Sequence, residues 1–231
     1  MSGTIDKRPL SKKIGISLSY LIQALILIYA IYSFCTLDYL WGIWSSFALF
    51  LTLTPLILKR RFDITLPWEL SLLIVLALYL HVGGNIRGWY LLFYPFYDKF
   101  AHLISSVLVA ILGFTSAVVL DQYVESVKMN RYFVAFFVII FTMAMGALWE
   151  IGEFASDTFL LTQTQHSIND TMLDLIFDLI GGSIVGLLGA IYLKYMPKER
   201  FIREFKADDH LIKKIPSKKL VKNRDKKWLK R

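Results

Sequence analysis

Residues 100–120 read FAHLISSVLVAILGFTSAVVL, and His102 is their only ionisable side chain. In a helix they extend about 30 Å, which matches the hydrocarbon core of a bilayer. A soluble helix of this length would carry an amphipathic stripe, and none is present here. The stretch therefore predicts a transmembrane helix.

Five more apolar stretches predict an all-α membrane protein with six transmembrane helices. Mean hydropathy is +0.53 and 56% of the residues are apolar, above the roughly 45–50% of soluble domains. The third stretch is the shortest, about 22 Å as a helix, so its full crossing is left open. No break is evident within the spans. They are predicted at residues 14–34, 40–58, 66–80, 100–120, 132–154 and 172–192.

Cations indicate the orientation of these helices. A cytoplasmic N-terminus places 24 of the 26 Lys and Arg residues on the cytoplasmic side and leaves only Arg87 and Lys99 outside. Short cytoplasmic loops are enriched in such residues, so both termini are predicted to be cytoplasmic. We expect a multi-pass protein of the cell membrane, with a basic N-terminus at 1–13, a transmembrane domain at 14–195 and a basic tail at 196–231.

The C-terminal segment is the most basic part of the chain, since residues 194–231 hold 15 cations and 5 acids. Each cation near an anionic membrane surface contributes about 1 kcal/mol of attraction. The lipid bilayer, with anionic headgroups bound by the tail, is therefore the predicted partner. No nucleic-acid partner is expected, because no recognition motif accompanies the charge. Cys35 is the single cysteine, which excludes internal disulfides and a cysteine metal cage.

Three groups of ionisable residues lie at the ends of the last three spans. In the predicted topology all three groups are on the outer side of the membrane. Within each group the spacing is three or four residues, which places the members on one helix face. Asp157, between the second and third groups, is expected to be a solvated loop acid. The groups are Asp98 with His102, Glu150 with Glu153, and Asp170 with Asp174 and Asp178.

So many carboxylates need a bound cation or shared protons, because only Arg87 and Lys99 are available on that side. Carboxylates with one imidazole suit Mg²⁺, Mn²⁺, Fe²⁺ or Zn²⁺. The sequence therefore predicts a centre of one or two divalent ions. The candidate ligands are Asp98, His102, Glu150, Glu153, Asp170, Asp174 and Asp178.

Some of these residues have a second predicted role. Asp178 lies deepest, about 12 Å along the helix from Asp170, and is a candidate catalytic acid. His102 is a candidate catalytic proton shuttle. Arg87 is a candidate substrate residue, since a guanidinium can hold a phosphate or lipid headgroup. Helix capping by Asp98 and Asp170 is the structural alternative to metal binding.

Three motifs in this part of the chain carry a family resemblance. They are Tyr97-Asp98-Lys99-x-x-His102, Trp149-Glu150-x-x-Glu153 and Asp170-Thr171-x-x-Asp174-x-x-x-Asp178-x-x-Gly181-Gly182. Together they resemble the YjdF-like family of prokaryotic multi-pass membrane proteins of unknown function, over about residues 65–195. The resemblance implies a membrane fold and supports the site, but it implies no activity.

Three classes of function fit these observations. The first is a metal-dependent enzyme acting on a lipid or lipid-linked substrate near the outer leaflet. The second is a cation- or proton-coupled transporter, and the third is a structural or assembly protein. The inner halves of spans 4 to 6 are nearly all apolar, which favours a one-sided site and hence the first class. Whether the protein is an enzyme is left open.

Glycines in the last span predict close helix packing. Small residues at four-residue spacing let two helices approach each other within a membrane. The pattern fits packing within one chain and packing in a homo-oligomer, and both are left open. The glycines are Gly181, Gly182, Gly186 and Gly189.

Overall fold

Helices account for the regular structure in the computed structural model, which describes residues 9–62, 65–196, 198 and 201. Within those residues there is no strand, which confirms the all-α class. The helices are α1 (Leu10–Cys35), α2 (Tyr39–Thr52), α3 (Thr54–Phe62), α4 (Trp68–Ile86), α5 (Trp89–Leu92), α6 (Phe96–Tyr123), α7 (Arg131–Leu160) and α8 (Ile168–Tyr195).

Five of these helices are long and apolar enough to cross a membrane: α1, α4, α6, α7 and α8. Helices α2 and α3 are together a sixth candidate, and they are bent by 42°. A multi-helix membrane architecture is therefore confirmed. The count of six spans holds if the bent pair is one span, and the orientation of the termini stays a prediction.

The break falls in the second predicted span, not in the short third one. Helix α4 has 19 residues and is about 29 Å long. The second span is interrupted at Leu53, because Pro55 has no N–H to donate to the carbonyl of Leu51. The hydroxyl of Thr54 donates to that carbonyl instead, at 2.6 Å. The expectation of unbroken spans is therefore wrong here.

The chain divides into two compact units. The first contains α1 to α5 and the first two residues of α6, and the second contains the rest of α6 with α7 and α8. In the first unit, α1 packs against α2 and α4, with Ile26 and Val75 in the core. Arg87, the predicted substrate residue, is the C-cap of α4 and belongs to this first unit.

In the second unit, α7 and α8 pack along each other. A Cβ atom added at Gly182 would lie 3.0 Å from Cβ of Thr142, and one added at Gly186 would lie 3.0 Å from the carbonyl oxygen of Ala135. These glycines therefore let the two helices approach closely within one chain, and a homo-oligomer stays a prediction. The apolar core of this unit consists of Ala110, Phe114, Ala117, Val118, Val134 and Val138.

The structure describes little of the two ends of the chain. Residues 1–8 and nearly all of the basic tail at 196–231 lie outside the described residues. Attraction of that tail to anionic headgroups therefore stays a prediction. Lys198 is described, and its Nζ forms an ion pair with Asp121 at 2.7 Å near the end of α6.

Candidate metal centre

Three helices of the second unit supply the ionisable side chains of the predicted centre. Helix α6 begins at Phe96, so Asp98 and His102 lie in its first two turns. Helix α8 begins at Ile168, after Ser167 accepts a hydrogen bond from the backbone N–H of Asp170. Six residues of this centre are buried, each no more than 5% exposed. They are Lys99, His102, Glu150, Asp170, Asp174 and Asp178.

The imidazole of His102 has carboxylates on both of its nitrogen atoms. Nδ1 lies 3.4 Å from both carboxylate oxygens of Asp178. Nε2 lies 3.7 Å from Oδ1 of Asp98, 3.8 Å from Oε1 of Glu150 and 3.9 Å from Oδ1 of Asp174. Oxygen atoms from α6, α7 and α8 therefore converge on one ring nitrogen.

Asp178 fits beside the ring because the facing helix has a glycine there. A Cβ atom added at Gly146 of α7 would collide with the Asp178 carboxylate. Gly146 thus leaves room for Asp178 to reach the Nδ1 side of His102. A carboxylate on the second nitrogen is the usual device that fixes the orientation of a metal-binding histidine.

Lys99 is surrounded by the remaining carboxylate oxygens. Its ammonium nitrogen donates a hydrogen bond to Oδ1 of Asp170. It lies 2.9 Å from both oxygens of Asp174 and donates to Oδ2. It lies 3.4 Å from Oδ2 of Asp98. One buried cation thus bonds three aspartates.

Two oxygen atoms of the cluster are buried without a hydrogen bond in the described structure, Oε1 of Glu150 and Oδ1 of Asp174. Burying an unpaired carboxylate oxygen is costly, and nearly all buried polar atoms in proteins have a partner. Both of these oxygens face Nε2 of His102. Oδ1 of Asp174 also has an ion-pair contact with Lys99, so Oε1 of Glu150 is the one that lacks a close cation. Ligand atoms of Asp98, His102 and Asp174 all lie within 4.8 Å of one another, an arrangement that fits a metal ion.

A loop between α7 and α8 is attached to this cluster. Asp157 belongs to the last turn of α7, so the expectation of a solvated loop acid is wrong. Its carboxylate accepts hydrogen bonds from the backbone N–H groups of Thr164 at 2.8 Å and Gln165 at 2.9 Å. Gln165 in turn donates to the carbonyl oxygen of Glu150 at 3.2 Å, and Nδ1 of His166 lies 3.4 Å from Asp170.

The predicted site residues therefore take different positions. Asp98, Glu150 and Asp174 face Nε2 of His102, and Asp178 faces Nδ1. Asp170 is bonded to Lys99. Glu153 accepts a hydrogen bond at 3.0 Å from the indole N–H of Trp149, on its own helix.

Three residues of this region were missed from the sequence: Lys99, Gln165 and His166. Lys99 was counted only as an outer cation, although its position three residues before His102 places it on the same helix face. That spacing was a usable signal. Gln165 and His166 lie in a loop without periodic pattern, and nothing in the sequence indicated that Asp157 folds this loop back.

Comparison with known proteins agrees with a membrane protein. The family model described as "Predicted membrane protein (DUF2238)" matches residues 17–195. An uncharacterized protein of Thermotoga maritima is 30% identical over 132 residues, which cover 55% of this chain and 65% of that protein. No solved structure matches the chain. The YjdF-like resemblance is confirmed, since it denotes the same family. The chain thus belongs to the DUF2238 family of predicted membrane proteins.

Proposed function

We propose that the protein binds one divalent metal ion between α6, α7 and α8. We further propose that it is a membrane enzyme that uses this ion to act on a lipid or lipid-linked substrate. One observation carries the metal proposal. Three carboxylate oxygens converge on Nε2 of His102, and two of them are buried without a hydrogen bond. A cation at their centre would pair with Oε1 of Glu150, and it would share Oδ1 of Asp174 with the ammonium group of Lys99.

The donor set and its dimensions fit such an ion. One imidazole with three carboxylates suits Mn²⁺, Fe²⁺ or Zn²⁺, and its oxygen content also admits Mg²⁺. Ligand atoms that share one ion at about 2.1 Å lie roughly 3.0–3.5 Å apart. The distances of 3.7 to 3.9 Å around Nε2 need a small contraction. The ligand atoms of Asp98, His102 and Asp174, which lie within 4.8 Å of one another, would also close up around the ion, and Glu150 would join them from α7. The proposed ligands are His102, Asp98, Glu150 and Asp174.

Asp178 has a separate role in this proposal. Its carboxylate accepts from Nδ1 of His102, so Nε2 is directed towards the oxygens of the other carboxylates. Asp178 thus acts as a positioning residue, and outer partners of this kind typically contribute 10- to 100-fold, in order of magnitude, to metal affinity.

The position of the cluster supports a one-sided site. Along α6, the polar group ends near Ser106, and the next buried positions are Ala110, Gly113 and Phe114. Buried Val134 and Val138 of α7 pack with Ala110 and Phe114. An apolar core of this kind offers no ligands to a cation crossing the bundle. Among the four proposed ligands, Asp98 is the most accessible, with a side chain that is 15% exposed.

An enzyme with this site would act on a substrate whose reacting group reaches Asp98. A bound divalent ion would neutralise a phosphate or activate a water molecule there. Glu150 and Asp174 would hold the ion from the buried side. Since α6 to α8 are apolar helices of membrane-spanning length, a lipid or lipid-linked headgroup is the substrate class that fits.

Elemental analysis tests the metal proposal directly. The full chain is purified in detergent, and its Mn, Fe and Zn contents are compared with those of a Glu150→Gln/Asp174→Asn variant. We expect about one equivalent in the wild type and none in the variant. Thermal-shift assays with added Mg²⁺ and Mn²⁺ detect an ion lost during purification. Absence of metal from both measurements would contradict the proposal.

The enzyme proposal needs a second experiment. Metal-loaded protein in nanodiscs is incubated with phospholipids and polyprenyl phosphates, and products are followed by mass spectrometry. We expect metal-dependent turnover that the double variant lacks. Uptake of Mn²⁺ into proteoliposomes that contain the protein, without turnover of any lipid, would favour a transporter and contradict the enzyme proposal.

A further inference from the structure

Two aspartates of the cluster each face two cation positions. Asp98 directs Oδ1 towards Nε2 of His102 and Oδ2 towards the ammonium group of Lys99. Asp174 contacts Lys99 through both carboxylate oxygens at 2.9 Å, and its Oδ1 also lies 3.9 Å from Nε2 of His102, so this oxygen is shared between the two positions. Two carboxylates therefore bridge the proposed ion position and the lysine.

This arrangement has the form of a centre for two cations. In two-metal sites, side chains hold ions about 3.5–4 Å apart, and both ions act on the same substrate. Here the position beside His102 is lined by Oε1 of Glu150, which is buried without a hydrogen bond, and by Oδ1 of Asp174, which also contacts Lys99. The position on the other side of the bridging carboxylates is taken by the ammonium nitrogen of Lys99.

Lys99 is well suited to remain there. An ammonium group has three N–H donors and no acceptor, and Lys99 has one carboxylate acceptor for each donor. The acceptors are Asp170, Asp174 and Asp98. Its side chain is only 5% exposed, so water does not compete for these bonds.

We infer that the ammonium group of Lys99 permanently occupies the second cation position of a carboxylate-bridged centre, so that the protein binds one divalent ion and not two. The inference rests on the proposed metal binding and answers which of the two stoichiometries predicted from the sequence applies. Lys99 supplies the second positive charge, as a fixed point charge that is not exchanged with solvent ions.

Removal of the Lys99 side chain should convert the centre from one that binds one divalent ion into one that binds two. Lys99→Ala leaves space beside oxygens of Asp98, Asp170 and Asp174, three carboxylates that can then bind a second ion. Lys99→Arg retains the positive charge and should leave the stoichiometry at one. Lys198→Ala is a matched control, because Lys198 also bonds a buried aspartate, Asp121, elsewhere in the same unit.

The experiment is a Mn²⁺ titration of the full chain in nanodiscs, followed by elemental analysis and electron paramagnetic resonance. Wild type, Lys99→Arg and Lys198→Ala should each bind one equivalent with the spectrum of isolated Mn²⁺. Lys99→Ala should bind two equivalents, and its spectrum should show spin coupling between neighbouring ions. That coupling is a signature that loss of stability alone would not produce.

Each other outcome is decisive. No Mn²⁺ in the wild type would overturn the metal proposal itself, and the inference with it. Two equivalents in the wild type would overturn the inference while metal binding stands. One equivalent in both wild type and Lys99→Ala would also overturn it, since Lys99 would then not hold an ion position. Should Lys99→Ala not fold, Lys99→Gln, neutral and similar in length, replaces it.

Discussion

Two lysines of the α6–α8 unit, Lys99 and Lys198, differ in the balance of charge around them. Lys198 pairs with Asp121 at 2.7 Å and also donates to the carbonyl of Met129 at 2.7 Å. Asp121 is satisfied in turn, because the backbone N–H of Met129 donates to its other oxygen at 2.6 Å. Among the described residues Lys198 pairs with Asp121, and both carboxylate oxygens of Asp121 are bonded.

Lys99 is in the opposite situation, since it is shared by three carboxylates. Its neighbours Glu150 and Asp174 still have buried oxygens without a hydrogen bond. Burial of charge is tolerated when each group is paired and costly when it is not. The comparison is consistent with a structural Lys198 pair, whereas the Lys99 cluster has the excess of carboxylates at which we propose that a metal ion binds.

The largest expected difference is between Asp174→Asn and Asp121→Asn. Asp174→Asn should weaken Mn²⁺ binding by more than about 100-fold, because a direct ligand contributes more than an outer-shell partner. Asp121→Asn should leave Mn²⁺ affinity unchanged and lower only stability. Isothermal titration calorimetry measures both affinities. Equal losses in the two variants would remove the distinction between the two regions.

The lysines themselves provide the next test, in metal-free protein. Lys99→Met should lower the free energy of unfolding by about 3–5 kcal/mol, because it leaves buried carboxylates without their cation. Lys198→Met should cost about 1 kcal/mol, since the side chain of Lys198 is 21% exposed and solvent screens the pair. Denaturant unfolding in detergent gives both values. A larger loss for Lys198→Met would reverse the comparison.

Asp178→Asn sharpens the distinction within the cluster. It should weaken Mn²⁺ binding by about 10- to 100-fold, the usual cost of losing an outer-shell carboxylate on a histidine. The stoichiometry should stay at one, because Asp178 faces Nδ1 and not the proposed ion. Complete loss of binding would instead assign Asp178 as a direct ligand. Calorimetry separates affinity from stoichiometry in the same titration.

A pair of glycine variants on α7 gives the smallest expected effect. Gly146→Ala should destabilise the protein by about 1–3 kcal/mol and shift Asp178, because the added methyl group collides with that carboxylate. Gly152→Ala is the matched control, since a Cβ there has no neighbour within 4 Å. Thermal unfolding with and without Mn²⁺ measures both variants. Equal changes in unfolding temperature for the two variants, with and without Mn²⁺, would show that Gly146 does not support the metal centre.

Much of the fold and of the cluster was predictable from the sequence. Long apolar runs determine spanning helices directly, and charged residues inside them are rare enough to indicate a site. Helical spacing placed Asp98 with His102, and Asp174 with Asp178, on common faces. That these faces meet around one imidazole is a tertiary contact, and no local pattern encodes it.

Other features depend on interactions that composition does not reveal. The bend at Leu53 follows from one proline, Pro55, and was hidden by an otherwise apolar run. Lys99 was counted only as a cation on the outer side of the membrane, and its burial depends on tertiary pairing, since a lysine is almost never fully buried unless it is paired. Its three aspartate partners include two on α8, more than 70 positions later in the chain.

The attachment of the α7–α8 loop has a consequence for how fast an ion exchanges. Asp157 binds the loop at Thr164 and Gln165, and Gln165 is bonded to Glu150. Release of the proposed ion from Glu150 would thereby be coupled to local opening of this loop. Protection of the Thr164 and Gln165 amides from deuterium exchange would then report on the residence time of the proposed ion, a kinetic property set by an acid in the last turn of α7, outside the centre.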